Sequence, residues 1–411
     1  MSEYFIEKIF VKNVRDIIKD FEIPLSENER NHLIITGKNG SGKTSLLSEI
    51  DILFCKLIRD EYKKVQELRK NINNHKQVLK IEKNKDAIEL FENDIKEFNK
   101  KIKDFSKVDL IFSSEKIYQN ITAGKFILAF FKAKRENRPD KVGSTTKQRF
   151  EEKYSTNEEL NRTFLQYLVN LKTAQAFAQI EQNMQEVEKI AKWFERFENA
   201  LKEIFDKKDL KIVFNHKEFD FKIEYDNKSF GLNELSDGYS SFLAIVTELI
   251  LRMEAKGVEA YDMQGVVLID EIETHLHVEL QKKVLPFLIS FFPKIQFIVT
   301  THSPFVLQSV KNAVICDLER REVTDSDRFV NASYSQIVKN YFEVDSEFSR
   351  VLLDDIKKYE DLIALFENDE LDESKEQELY DLDLKLDKIS PMLSDEIYLR
   401  FKEAQEKIVD G

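Results

Sequence analysis

Short unbroken apolar runs recur in a chain that is otherwise dense in charge, and their form separates strands from helices. His32-Leu33-Ile34-Ile35-Thr36, Gly265-Val266-Val267-Leu268-Ile269 and Ile295-Gln296-Phe297-Ile298-Val299 are brief and β-branched, the pattern of strands covered on both faces of a parallel sheet. Gly124 to Arg135 predicts another return to a core strand, and Leu210–Phe214 and Phe219–Tyr225 predict two more strands. Phe242 to about Met253 predicts an apolar helix, and Asn157 to Phe205 a helical region with Trp193 and Phe194 as packing anchors.

Ile50 to about Phe105 is different: rich in Lys and Glu, free of Pro and Gly, with spaced apolar residues at Ile58, Tyr62, Val65, Leu68 and Ile72. After a polar break at Asn71–His75 the pattern resumes through Ile88, Leu90, Ile95 and Ile102, which predicts two antiparallel helices in a short coiled-coil hairpin. Arms of about 25 residues would reach roughly 35–40 Å at 1.5 Å per residue. An ordinary surface pair of helices is the alternative. The expected organisation is an α/β head formed by residues 1–50 and 206–345. It is split by a hairpin at 51–110 and a helical subdomain at 111–205, and an acidic helical segment follows at 346–411.

Chemistry enters at the end of the first core strand. Gly37-Lys38-Asn39-Gly40-Ser41-Gly42-Lys43-Thr44 is a complete G-x-x-x-x-G-K-[ST] loop, and Ser45 opens an apolar-periodic helix behind it. The glycines let successive N–H groups of Asn39, Gly40, Ser41, Gly42 and Lys43 face phosphate oxygens, and the helix N-terminus adds positive potential. Lys43 is positioned for the β- and γ-phosphates of ATP, and Thr44 for Mg²⁺. A second cluster follows the strand at 265: Asp270 as a Mg²⁺ partner through water, and Glu271 as the group that polarises the attacking water. The third strand closes on His302, in reach of a γ-phosphate, or else a hydrogen-bonded histidine at a strand end.

The class of ATPase turns on Asn233-Glu234-Leu235-Ser236-Asp237-Gly238-Tyr239-Ser240-Ser241, set before an apolar helix. Ser236 and Gly238 there form a second anion cradle. The run resembles the signature of the ABC ATPase superfamily, in the L-S-D-G-Y form of its SMC-like and OLD-like branches. Asp237 and Tyr239 depart from the transporter form. The resemblance implies an ABC-type P-loop NTPase head in which the signature of one subunit covers the ATP held by another, giving a homodimer of heads; a larger assembly stays open. Tracts from Asn233 through Leu307, among them "DEIETHLHVELQ" and "FIVTTHSPFVLQS", resemble ATPases of bacterial antiphage defence operons, the PtuA family of Septu and retron-associated systems, and more distantly AriA of PARIS and OLD-family ATPase domains. That implies a sensor or scaffold regulating a separate effector, such as a nuclease. RecF- or SMC-like DNA repair is the alternative function, and a slowly hydrolysing nucleotide-gated scaffold is another.

Charge and cysteine content narrow this further. The net charge of −13 argues against broad nucleic-acid coating, and the last segment is strongly acidic. Lys132, Lys134, Arg135, Arg138, Lys141, Lys147 and Arg149 form a local basic stretch, either a nucleic-acid contact or a solvated loop. Cys55 and Cys316 have no paired spacing, and no apolar run of about 18 residues is present, so a cytoplasmic protein without membrane segments is expected. His275 and His277, just past Glu271, are candidates for a dimer interface; their spacing is too short for two metal ligands on one helix face. No residue is assigned the glutamine role that this fold places after its edge strand, Gln119 being a weak candidate.

Overall fold

The computed structural model describes residues 3–146, 148–254, 263–341, 350–368, 370–393 and 395–410. Two units emerge, Met1–Tyr334 and Ser335–Gly411. The boundary expected between 345 and 346 lies outside the described residues.

The first unit begins with β1 (Ile6–Val14), β2 (Ile18–Pro24) and β3 (His32–Thr36), followed by α1 (Lys43–Ile58), α2 (Tyr62–Leu79) and α3 (Lys85–Phe105). The chain continues with β4 (Val108–Phe112), α4 (Lys116–Thr122), β5 (Ile127–Phe131), α5 (Phe164–Ile180) and α6 (Met184–Phe205). The strands β6 (Lys211–Asn215), β7 (Asp220–Tyr225) and β8 (Lys228–Gly231) form a separate antiparallel sheet. They lead into α7 (Asp237–Glu254), β9 (Gly265–Ile269), α8 (Val278–Phe291), β10 (Ile295–Thr300), β11 (Ala313–Asp317) and β12 (Glu322–Asp325).

The main sheet has the order β12-β11-β3-β10-β9-β5, parallel except for β12 at its edge. Every residue of β3, β5, β9, β10 and β11 is buried, which is why these runs are continuous rather than alternating. The order places β10 between the strand that feeds the glycine loop and the strand that ends at Asp270. Ligands of such sheets gather at the carboxyl ends of the strands, where all three motifs emerge. Gln296 ties this sheet to β1: its Oε1 accepts from the N–H of Ile6 at 2.8 Å, and its Nε2 donates to the carbonyl of Ile6 at 3.0 Å. A polar residue buried in an apolar strand is tolerated because its hydrogen bonds are filled.

Three features differ from the expected helical insertion: the turn, the arm lengths and the starting residue. The break at Asn71–His75 is not a turn, since α2 runs through it to Leu79 and the chain reverses at residues 80–84. Asn84 fixes the reversal, its side chain accepting from the N–H groups of Asp86 and Ala87. A run of polar residues on an exposed helix ends nothing by itself; a capping residue does. The arms are 18 and 21 residues, about 27 and 32 Å long at the helical rise, rather than about 25 residues each. The pair also starts at Tyr62 rather than 51, because α1 carries Leu53, Phe54 and Leu57 into the head core. Only Val65 and Ile72 of α2 are buried, and no residue of α3 is. At the base, the Tyr62 ring stacks on Tyr118 with centroids 4.4 Å apart.

Trp193 and Phe194 pack as anchors between α5, α6 and the β6-β7-β8 sheet, Phe194 stacking on Phe221. In the second unit, the helices Arg350–Glu367, Glu373–Ile389 and Asp395–Asp410 bury their own small core of Ile356, Tyr359, Leu379, Leu386 and Phe401.

Candidate functional site

The glycine loop is shaped by backbone conformations that side-chain-bearing residues resist. Gly37, Gly40 and Gly42 have φ of 135°, 88° and 99°, and a Cβ on Gly37 would lie 2.9 Å from the Ser41 Oγ. Gly42 caps α1 with no side-chain acceptor, so the first-turn N–H groups are left for a ligand. Lys43 is buried; its Nζ donates to the carbonyls of Gly37 at 2.7 Å and Lys38 at 3.1 Å. Burial lowers its pKa, opposed by the carboxylates of Glu271 and Asp270. The Ser41 Oγ is buried without a partner, an open hydrogen-bonding position inside the loop.

Two threonines join this loop to the carboxylate strand. The Asp270 Oδ1 accepts from the Thr300 hydroxyl at 2.7 Å and from the Thr44 hydroxyl at 3.2 Å. The N–H of Glu271 donates to the Thr300 Oγ1 at 2.7 Å. Thr44 and Asp270 thus present a hydroxyl and a carboxylate oxygen side by side, hard donors that suit Mg²⁺ better than a softer metal. Thr300, on the strand between them, is the organiser of that pair. Nothing in its run of apolar neighbours marks it out.

Glu271 stands just past the strand in the left-handed region at φ 45°, its Oε2 accepting from the Thr274 hydroxyl at 3.2 Å. Two residues on, the Glu273 Oε1 accepts from the N–H of His302 at 2.5 Å, while its Oε2 is buried without a partner. Burial pushes the Glu273 carboxyl up. For His302, burial and then the charge of Lys43 hold its pKa below the usual value, which favours a neutral imidazole at pH 7. Lys43, Thr44, Asp270, Glu271 and His302 are therefore brought to one place.

Ser236 and Gly238 lie elsewhere. Ser236 is exposed, and its carbonyl accepts from the N–H of Ser240 at 2.9 Å in the first turn of α7. Gly238 is buried, and a Cβ on it would approach the backbone oxygen of His275 to 2.7 Å, so the residue is needed for close packing. The Tyr239 ring stacks on Phe205 with centroids 4.0 Å apart. Around them runs a groove of about 490 Å³ whose lining includes Asp206, Ser236, His275, His277 and Lys283. None of the described residues 37–45 lines it.

Residues 33–308, that is 276 of 411, match the family described as "AAA domain, putative AbiEii toxin, Type IV TA system". The chain belongs to this AAA-domain family. It is 40% identical over 94 residues to "Septu protein PtuA" of Bacillus mycoides (strain KBAB4), a stretch covering 22% of this chain and 13% of that protein. To the "Retron Ec83 probable ATPase" of Escherichia coli it is 34% identical over 129 residues, covering 30% and 24%. A PtuA of Bacillus thuringiensis is 29% identical over 185 residues, covering 41% and 44%. The matched stretches span less than half the length of each of these relatives. Among solved structures, an Smc head bound to the C-winged helix domain of ScpA overlaps 80% of this chain and all of that one, at a TM-score of 0.40 and 12% identity.

Within this AAA domain the basic stretch needs one correction. Arg135 is not a surface cation: it is buried, and its guanidinium donates to backbone carbonyls around Asp270–Ile272. A basic residue beside other basic residues reads as a solvated loop, and only the fold reveals the carbonyls waiting for it. Lys132, Lys134, Arg138, Lys141 and Arg149 are exposed, and Lys147 lies outside the described residues. Gln119 is exposed on α4. No helix among the described residues is long and apolar enough to cross a membrane.

Proposed function

We propose that this AAA domain binds ATP in the glycine loop and hydrolyses it in a sandwich of two copies, as a sensor or scaffold that governs a separate effector, such as a nuclease, in antiphage defence. The observation that supports the ATPase reading is a hydrogen-bonded network at the end of the glycine loop: Asp270 accepts from the hydroxyls of Thr44 and Thr300, and Thr300 in turn accepts from the backbone N–H of Glu271. Asn39, Gly40, Ser41, Gly42, Lys43 and Ser45 surround the phosphates, and Thr44 with Asp270 would hold Mg²⁺, which would offset the negative charge of the triphosphate. Glu271 takes a proton from water as that water attacks the γ-phosphorus; the bond to the bridging oxygen breaks, and ADP and phosphate leave. The neutral imidazole of His302 donates to a γ-phosphate oxygen.

Ser236 and Gly238 supply the second face. Their groove is apart from the glycine loop of the same chain, so the nucleotide they cover belongs to another copy. The defence role rests on the similarity to Septu and retron ATPases. Cytoplasmic localisation follows from that role.

Glu271→Gln is the test. Purified full-length variant should bind ATP, hydrolyse it at least about a hundredfold more slowly than wild type, and accumulate as a nucleotide-bound dimer on size-exclusion chromatography with light scattering. Lys43→Ala should bind no ATP and stay in the nucleotide-free state. Hydrolysis by Glu271→Gln at the normal rate would remove Glu271 from its role. Turnover that stays negligible in wild type while the dimer forms would favour the nucleotide-gated scaffold.

A further inference from the structure

The segment after β5 makes contacts that none of the expected site residues accounts for. Arg135 is 9% exposed. Its Nη1 donates to the carbonyls of Lys132 at 3.1 Å, Ala133 at 3.4 Å and Asp270 at 2.9 Å. Its Nη2 donates to those of Glu271 at 3.2 Å and Ile272 at 2.9 Å. Three consecutive carbonyls leaving the carboxylate strand therefore converge on one guanidinium. Their amides are held from the other side: Asp270 donates to the carbonyl of Phe131 at 2.8 Å, Glu271 to the Thr300 hydroxyl, and Ile272 to the carbonyl of Thr300 at 3.1 Å.

This matters because Glu271 adopts a backbone conformation that a residue with a side chain disfavours. Such conformations persist only where the surroundings over-determine them. Two residues beyond Arg135, Asn137 grips α7. Its N–H donates to the Ser240 Oγ at 2.9 Å, and its side-chain oxygen accepts from the Thr247 hydroxyl at 3.2 Å. A three-residue segment thus ties the turn that bears Glu271 to the helix that begins beside Ser236.

We propose that Arg135 is a positioning residue for hydrolysis: it locks the Asp270–Ile272 backbone so that the Glu271 carboxylate is held in place, and Asn137 fixes that turn relative to the signature helix. The inference rests on the proposed ATPase reading. A lysine cannot replace it, since an ammonium with three donors lacks the planar fork that meets the five carbonyls of Lys132, Ala133, Asp270, Glu271 and Ile272 at once. The guanidinium stays charged at neutral pH; burial, opposed by Glu273, Asp270 and Glu271, lowers its pKa only to about 10.

The test compares full-length wild type, Arg135→Lys, Arg135→Met and Lys43→Ala. Steady-state hydrolysis across ATP concentrations is read beside equilibrium ATP binding and thermal unfolding. Both Arg135 variants should bind ATP within about threefold of wild type, with kcat lower on the order of tenfold to a hundredfold and KM little changed. Millimolar guanidinium should restore part of kcat in Arg135→Met and none in Glu271→Gln. The proposal is overturned if kcat stays within about twofold of wild type, if ATP affinity falls in step with kcat, or if both variants fail to fold. Wild-type turnover that Lys43→Ala lacks secures the parent reading, so a flat Arg135 series then counts against Arg135 alone. Absence of turnover in wild type would instead sink the parent reading.

Discussion

The two halves of the candidate ATP site are built in opposite ways. On the glycine-loop side several buried polar groups are already paired within the chain: Lys43 on loop carbonyls, Asp270 between two threonine hydroxyls, one oxygen of Glu273 on the backbone of His302. On the signature side Ser236 and Asp237 are exposed at the rim of an open groove, and the buried element is a glycine pressed against a neighbouring carbonyl. A preorganised half needs no partner to hold its shape, because the cost of fixing its dipoles was met on folding. An open half gains its geometry only when something docks. The contrast itself is therefore an argument for a composite site, and it can be attacked from either side.

Ser236→Arg attacks it from the open side with the largest expected effect. The residue is exposed, so a long side chain leaves the fold untouched but blocks the rim from a second copy. ATP binding by an isolated chain should match wild type, while hydrolysis and ATP-driven dimerisation should fall at least about a hundredfold. Calorimetric binding, phosphate release and light scattering on one preparation separate the two halves. If hydrolysis survives, the signature is no part of the site and the open groove serves something else.

Gly238→Ala presses on the contact between the halves. Its added methyl would meet the backbone oxygen of His275 at 2.7 Å, and a backbone atom cannot swing away as a side chain can. Overpacking of this kind costs about 1–3 kcal/mol, read as a drop in the unfolding midpoint. Because the displaced turn is the one that carries Glu271 four residues earlier, hydrolysis should fall by roughly tenfold with ATP affinity retained. An unchanged midpoint and rate would mean that the two halves move independently within one chain.

These differences also explain what could be read without coordinates. The strands at 32, 265 and 295 were legible because burial on both faces leaves an unbroken apolar run, and their order in the sheet brings Lys43, Thr44, Asp270, Glu271 and His302 together. Arg135 was illegible for the converse reason. Its partners are backbone carbonyls, which carry no residue identity, so its neighbours Lys132 and Lys134 made it look like surface charge. Thr300 is similar, a single hydroxyl inside an apolar strand whose value depends on what lies on the strands beside it. The misplaced hairpin turn has another cause: polar Asn71–His75 tolerates helix, and the capping Asn84 is one residue in a charged stretch.

The smallest expected effect probes how closed the buried half is. His32 starts β3, and its Nδ1 accepts from the N–H of Phe297 on β10 at 3.1 Å. Burial, with the charge of Arg30 adding to it, lowers its pKa to about 3. In the unfolded chain the imidazole takes up a proton near pH 6.5, whereas the folded state resists until about pH 3. Below pH 6.5 the unfolded state therefore binds more protons, and this group's contribution to stability is lost as the pH falls. His32→Asn removes that titration. At pH 7.5 the variant should be less stable by about 1–2 kcal/mol, because the smaller amide can still accept from the N–H of Phe297 through its Oδ1 but leaves part of the buried ring's volume empty. At pH 5 the gap should shrink by about the same amount, because wild type alone has lost ground. Urea unfolding of both proteins at the two pH values reads the difference directly, with the other titrating groups common to both. A gap that stays constant would mean that His32 protonates in the folded state as it does in water, and the strand feeding the glycine loop would then be as open as the signature groove.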